Sequence, residues 1–177
     1  MKIGVTSLGD RPAALEARMS PRELDLTAER VEFRDPVQVA VTVTRLQEDV
    51  LAEGKANTTA HAECSRCLED VPLELHGEFE ALYVPDTGRF AKRMDHPDFA
   101  GTGQRVNFYS EQTIDLADEI RQCVLLELPM KPLCRPDCAG LCPSCGEDLN
   151  KGPCSCKPAA DEGPFAALRK LIPPEAE

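Results

Sequence analysis

Eight of the nine cysteines in the 177-residue chain occur as four close pairs. These pairs are Cys64-x-x-Cys67, Cys134-x-x-x-Cys138, Cys142-x-x-Cys145 and Cys154-x-Cys156. Two thiolates on one tight turn can bind the same metal ion, and two such turns complete a tetrahedral zinc site. The pattern therefore predicts two structural Zn²⁺ ions with these eight cysteines as ligands.

Disulfides and redox-active thiols are the competing interpretations of the pairs. An odd cysteine count and an N-terminus without the apolar core of a secretory signal favour a reducing compartment, the cytoplasm. A structural zinc ion contributes about 10–16 kcal/mol of apparent binding energy, whereas a disulfide contributes about 2–4 kcal/mol. Because residues 130–158 contain few apolar side chains, metal explains an ordered segment better. The unpaired Cys123 is predicted to be a buried apolar side chain.

The four pairs can share two ions in three ways. We favour the sequential arrangement, in which Cys64 and Cys67 join Cys134 and Cys138. The remaining four cysteines then form a separate knuckle around the loop 146–153. A rival arrangement places the two middle pairs on one ion and leaves the first and last pairs to meet across the fold.

The cysteine sites are predicted to be structural and the protein to lack enzymatic activity. Four thiolates leave no open coordination position, which a hydrolytic zinc ion needs. The chain has no phosphate-binding loop, dinucleotide fingerprint or serine-nucleophile motif. We therefore expect no small-molecule substrate.

The elements that position these cysteines are predicted to be mostly strands. Valines at 37, 39, 41 and 43 alternate with polar or small residues, which is typical of a strand with one buried face. Shorter or weaker alternation predicts strands at 30–34, 49–56, 57–64 and 71–84. Short connections between them indicate an antiparallel meander.

Helical spacing follows the strands. Apolar residues from Leu116 to Leu128 predict a long helix that Asp115 caps, Pro129 ends, and whose apolar face covers the sheet. Residues 85–105 are predicted to form a loop and 164–172 a short terminal helix. The predicted fold class is α+β: an antiparallel meander covered by a long helix (1–129), followed by a Cys-rich zinc-knuckle tail with a short helix (130–177).

Charge limits the possible partners. The chain has 20 Lys and Arg against 31 Asp and Glu, a net charge of −11, and residues 36–128 carry most of the excess. This surface repels a nucleic-acid backbone, but acidic strands could bind a basic protein. Any RNA contact is predicted at the near-neutral C-terminal part, through Lys131, Arg135, Lys151, Lys157, Arg169 and Lys170. No apolar run is long enough to span a membrane.

Several motifs, taken in order, resemble the YceD family. They are Cys64-Ser65-Arg66-Cys67-Leu68-Glu69, the helix opened by Ile114-Asp115-Leu116, Gly140-Leu141-Cys142-Pro143-Ser144-Cys145-Gly146 with Leu149-Asn150, and Pro164-Phe165-Ala166-Ala167-Leu168. The resemblance implies a non-enzymatic ribosome biogenesis factor that supports accumulation of large-subunit (23S) ribosomal RNA. It implies a ribosomal RNA precursor or a large-subunit ribosomal protein as partner. A thiol-based redox or zinc-responsive regulator is the alternative function.

Overall fold

The computed structural model describes residues 1–9, 11–86 and 105–156 of the 177-residue chain. These residues form eight strands, a 3₁₀ turn at Val5–Ser7 and one α-helix. In chain order they are β1 (Lys2–Gly4), β2 (Ala13–Met19), β3 (Val31–Phe33), β4 (Val37–Leu46), β5 (Asp49–Glu63), β6 (Asp70–Pro85), β7 (Arg105–Tyr109), β8 (Thr113–Asp115) and α1 (Ala117–Leu126).

The main sheet has the strand order β2-β4-β5-β6-β7. All of its pairs are antiparallel except β6 and β7, which run parallel. Strands β3 and β4 lie end to end along β5, because β3 pairs with Ala60–Ala62 and β4 pairs with 49–57. Asp35-Pro36, which the sequence marks as a break, separates them. Strands β1 and β8 form a separate two-stranded sheet.

The alternating valines lie on the inner face of β4, as predicted. Val37, Val39, Val41 and Val43 are each at most 3% exposed, whereas the residues between them face outward. The short strand predicted at 30–34 is confirmed as β3. In these two places the period-2 pattern was sufficient because branched or aromatic side chains mark the buried face.

Strand β5 is one strand of 15 residues where the sequence predicted two. Its pairing with β6 runs without interruption from Val50 opposite Tyr83 to Glu63 opposite Asp70. The inner face of β5 is built mostly from alanines that are at most 2% exposed. Small side chains contribute little to an apolar pattern, so the continuity of the strand is invisible in the sequence.

The predicted α+β class with a long covering helix is wrong. Helix α1 has only ten residues, and strands make up most of the regular structure in the described ranges. Ile114 and Asp115 belong to β8, and Leu116 is the N-cap residue, but the Asp115 carboxylate accepts from the first helical N–H, that of Ala117, at 3.1 Å. The apolar spacing continues past the C-terminal end of α1 because Leu128, which lies beyond the helix, still packs against the core.

Two strands that the sequence analysis missed complete the main sheet. Strand β2 reads Ala-Ala-Leu-Glu-Ala-Arg-Met, which is composed of good helix formers. Its seven residues all pair with β4, so the tertiary partner overrides local propensity. Strand β7 follows the segment predicted as a loop, and it pairs with β6 in parallel.

Helix α1 packs closely against the sheet at Gly77 of β6. A Cβ atom built there would lie 2.7 Å from the backbone carbonyl carbon and oxygen of Cys123 and 2.9 Å from its sulfur. The helix backbone therefore occupies the space that a side chain would need. The absence of a side chain at Gly77 is what lets α1 approach.

Two predicted elements fall largely or wholly outside the described residues. They are the loop at 85–105, of which 87–104 is not described, and the terminal helix at 164–172. Within the described ranges, α1 is too short and too polar to cross a membrane.

Candidate metal centres

The eight paired cysteines come together as two groups of four. The first cluster consists of Cys64, Cys67, Cys134 and Cys138. The second cluster consists of Cys142, Cys145, Cys154 and Cys156. Within each cluster the four Sγ atoms lie within 4.8 Å of one another. This is the sequential grouping that the sequence analysis favoured over its rivals.

The sulfur separations suit a shared ion and exclude disulfides. Cys67 and Cys134 Sγ are 3.6 Å apart, and Cys64 and Cys138 Sγ are 3.9 Å apart. Four ligands at about 2.3 Å in a tetrahedron lie about 3.8 Å from one another, whereas a disulfide needs about 2.05 Å. All nine cysteines lie in the described residues, and all are free thiols.

The first cluster joins the sheet to the segment that follows α1. The β5–β6 turn supplies Cys64 and Cys67, and the later segment supplies the other two cysteines. The Ser65 N–H donates to the Pro132 carbonyl at 2.8 Å, which holds the two segments together. Cys64 is fully buried and Cys138 is 2% exposed. With Val71 they form a small core separate from the main one.

The second cluster lies entirely within 142–156 and is more open. Cys142 is buried, Cys145 is exposed and the other two cysteines are half-buried. Its four ligands belong to one short stretch of chain, with the loop 146–153 between the two pairs. The sequence analysis described this cluster as a self-contained knuckle, and its geometry has that form.

Both Cys-x-x-Cys turns have the same backbone geometry. The N–H of Cys64 donates to the Glu69 carbonyl at 2.8 Å, and the N–H of Cys142 donates to the Glu147 carbonyl at the same distance. A second bond returns to the carbonyl of each first cysteine from the residue four positions later, at 3.0 and 2.9 Å. The turns therefore present their two sulfurs in the same way.

The residue that follows the second cysteine is left-handed in both turns. Gly146 occupies this position in the second cluster with φ 75°, where glycine carries no steric penalty. Leu68 occupies it in the first cluster with φ 63°, although a left-handed conformation costs a residue with a Cβ about 1–2 kcal/mol. The first Cys-x-x-Cys turn therefore keeps its geometry despite the backbone preference of Leu68.

Backbone N–H groups favour the thiolate form of the first cysteine in each turn. The N–H of Cys67 makes the largest contribution to lowering the pKa of Cys64 to about 6. The N–H of Cys145, followed by that of Ser144, lowers the pKa of Cys142 to about 6. These N–H donors are preorganised for a negatively charged sulfur.

One further sulfur in each cluster, that of Cys134 and that of Cys156, resists ionisation beside its neighbours. Burial, then the thiol of Cys138, raises the pKa of Cys134 to about 12. The neighbouring thiol of Cys145 raises the pKa of Cys156 to about 12. A divalent ion would supply the positive charge that lets all four sulfurs ionise together. The residues therefore fit a tetrahedral S₄ metal site, which suits zinc or iron.

Cys123 plays no part in either cluster. It is 5% exposed on the inner face of α1, and its Sγ donates to the Ile120 carbonyl at 3.2 Å. Burial raises its pKa to about 11. The ninth cysteine is thus a small buried core residue, as predicted.

The three described basic residues among those predicted to contact RNA do not form an open cationic surface. Arg135 lies 3.6 Å from Asp137, and Lys151 lies 3.4 Å from Asp148. Lys131 is exposed. The other three candidates, Lys157, Arg169 and Lys170, lie outside the described residues. Two of the three described candidates therefore have a carboxylate beside them that offsets their charge.

The sequence analysis missed the contacts that two residues make with the first cluster. The Arg66 guanidinium donates to the Cys138 carbonyl at 2.7 Å, and the Asn150 amide donates to the Cys138 sulfur at 3.4 Å. Both residues belong to motifs already noted beside the cysteines. Their roles depend on a spatial contact, which spacing along the chain does not show.

The fold and the two sites define a class: a β-rich protein with two four-cysteine groups whose geometry suits a metal ion. The family described as "Large ribosomal RNA subunit accumulation protein YceD" matches residues 52–172, a range that includes both clusters. The chain belongs to the YceD family. No solved structure matches it.

Relatives from bacteria and plants extend this assignment. An uncharacterized protein of Mycobacterium tuberculosis is 30% identical over 182 residues, which cover all of this chain and 84% of that protein. The "Large ribosomal RNA subunit accumulation protein YCED homolog 1, chloroplastic" of Zea mays is 29% identical over 180 residues. That match covers 90% of this chain and 61% of the plant protein.

Proposed function

We propose that the protein is a non-enzymatic, cytoplasmic factor that supports accumulation of large-subunit (23S) ribosomal RNA. Two structural zinc ions stabilise it, one in each cysteine cluster. The observation that carries the proposal is that the family-matched segment encloses all eight paired cysteines. Closed four-thiolate sites organise a chain without offering a reactive position. An adaptor without a small-molecule substrate is consistent with that geometry.

The two-part organisation remains part of this proposal. Residues 1–129 would form the sheet with its helix, and 130–177 the metal-binding tail. The first cluster takes two ligands from each part. A zinc ion there would act as the joint between them, and the second ion would shape the tail itself.

We propose a basic segment of a large-subunit ribosomal protein as the partner, bound on the outer face of the sheet. A groove of about 650 Å³ crosses β2, β4, β5 and β6 on this face. Its floor includes the small residues Ala14, Ala40 and Thr42. Four glutamates and one lysine line it: Glu16, Glu53, Glu78, Glu80 and Lys55.

The charge arrangement of the groove favours a cationic partner over RNA. Glu53 and Glu80 lie directly opposite each other on β5 and β6. Beside them, Lys55 forms an ion pair with Glu78 at 2.7 Å. The groove carries four carboxylates against one lysine, so it attracts a lysine or arginine side chain. A phosphate backbone would be repelled.

Neutralising the two opposed glutamates should weaken partner binding. We expect Glu53→Gln with Glu80→Gln to reduce recovery of ribosomal protein by about tenfold, because the attraction for a cationic segment is lost. The measurement is crosslinking of the tagged protein in cells, with bound RNA and proteins identified together. Sedimentation with large-subunit precursors should also weaken as salt rises.

A matched control removes the same charge elsewhere. Glu111→Gln with Glu127→Gln changes two exposed carboxylates outside the groove and should leave recovery unchanged. Crosslinked RNA without a ribosomal protein would contradict the proposed partner. Protein that stays at the top of the gradient in all conditions would contradict the ribosome role itself.

One observation supports the alternative of a thiol-based redox or zinc-responsive regulator. Cys145 is exposed, so the second cluster is open to oxidants and chelators. Thiol titration of the native protein distinguishes the two functions. Structural sites should leave the eight paired cysteines unreactive until metal is removed. Rapid reaction of all eight without metal release would favour the regulator.

A further inference from the structure

The first cluster receives a hydrogen bond from the loop of the second cluster. Asn150 lies between Cys145 and Cys154, and its Nδ2 donates to Cys138 Sγ at 3.4 Å. Cys138 is a member of the first cluster. One side chain thus connects the two groups of cysteines.

The Asn150 side chain is fixed by its other hydrogen bonds. Its Oδ1 accepts from the Ala139 N–H at 2.8 Å and from the Arg135 guanidinium at 2.7 Å. Its Nδ2 also donates to Asp148 Oδ1 at 2.8 Å. Because both acceptor positions and both donor hydrogens are used, the amide has one orientation, with its nitrogen toward the sulfur.

Backbone contacts join the same two regions. The Leu149 N–H donates to the Gly140 carbonyl at 2.9 Å, which holds the loop of the second cluster against the segment leaving the first. The Leu141 N–H donates to the Arg66 carbonyl at 3.1 Å, inside the first Cys-x-x-Cys turn. The position of Asn150 therefore depends on the folded second cluster.

We propose that Asn150 is a positioning residue that couples the two metal centres. This coupling rests on the zinc binding proposed above. The second ion folds the loop 146–153, the loop presents Asn150 to Cys138, and the amide hydrogen bond stabilises the thiolate ligand of the first ion. Hydrogen bonds of this kind to metal ligands alter metal affinity by about 10–100-fold. Loss of the second ion therefore accelerates loss of the first.

The test is metal release from the full-length protein under a chelator, followed by mass spectrometry under native conditions. We expect Asn150→Ala to bind two ions and to release the first-cluster ion about tenfold faster or more. Cys142→Ser with Cys145→Ser, which removes the second ion, should accelerate that release as well. Asn57→Ala, which changes an exposed asparagine on the outer sheet face, is the matched control and should change nothing.

A spectroscopic signature separates positioning from general destabilisation. In cadmium-substituted protein, ¹¹³Cd NMR should show that Asn150→Ala shifts the resonance of the first cluster, because the sulfur loses a hydrogen bond. If Asn150→Ala and the double serine variant both release the first ion at the original rate, the coupling is wrong while zinc binding stands. If the unsubstituted protein contains no metal, zinc binding and the coupling both fail.

Discussion

Replacing Cys64 and Cys67 by serine is expected to release the segment after Pro129 from the sheet and to lower the bound metal from two ions to one. These residues are the only ligands that the sheet contributes to the first cluster. A structural zinc ion contributes about 10–16 kcal/mol of apparent binding energy. The Ser65 hydrogen bond that also joins the two regions contributes about 0.5–1.5 kcal/mol, and that of the charged Arg66 side chain contributes about 1.5–3 kcal/mol.

Native mass spectrometry and hydrogen exchange measure this result together. Metal should fall to one ion, and amides in 130–141 should lose protection while those of the β5–β6 pair keep it. Cys123→Ala, which removes a cysteine outside both clusters, should retain two ions. A Cys64→Ser and Cys67→Ser variant that keeps both ions, or keeps the segment as protected as before, would disprove the role of the first cluster.

A larger substitution tests the grouping of the cysteines in solution. With all four cysteines of the second cluster replaced by serine, the observed grouping leaves one complete site and one bound ion. Each of the two other pairings divides those four cysteines between both ions, so no complete site would remain. The number of ions retained therefore distinguishes the arrangements without a further structure.

Gly77→Ala is expected to destabilise the protein by about 2 kcal/mol, because the new methyl group would meet the backbone of Cys123 at 2.7 Å. For a chain of this size the midpoint of thermal unfolding would fall by about 4–8 °C. The direction of the change in stability is informative. Without a close helix, a glycine-to-alanine change at a compatible position would stabilise by about 0.4–1 kcal/mol.

Thermal unfolding followed by circular dichroism measures the effect. Gly9→Ala is the matched control, because nothing lies within 4 Å of the position that its new Cβ would occupy, and its midpoint should hold or rise by about 1–4 °C. If Gly77→Ala unfolds at the same temperature as the unsubstituted protein or higher, the close packing of α1 on β6 is not present in solution.

Sequence patterns predicted the elements whose own side chains mark them. The valines of β4 and the short β3 were recognised because bulky residues alternate with polar ones. Strand β2 was not, because its composition favours a helix and only its pairing with β4 makes it a strand. The helix prediction ran too long at its C-terminal end, since the apolar side chain of Leu128 packs against the core although α1 ends at Leu126.

For the candidate site too, the sequence determined some features and the tertiary structure decided the others. Cysteine type and spacing determined the chemistry, because paired thiols two or three residues apart can bind one ion whatever surrounds them. Only the folded chain decided which pairs share a site. The pairing depends on the β5–β6 turn lying against the segment after α1. The folded chain also decided that Asn150 contacts Cys138 and that Arg135 and Lys151 lie beside aspartates. Residue identity determines the local chemistry, whereas contacts between distant residues follow from the packing of the whole chain.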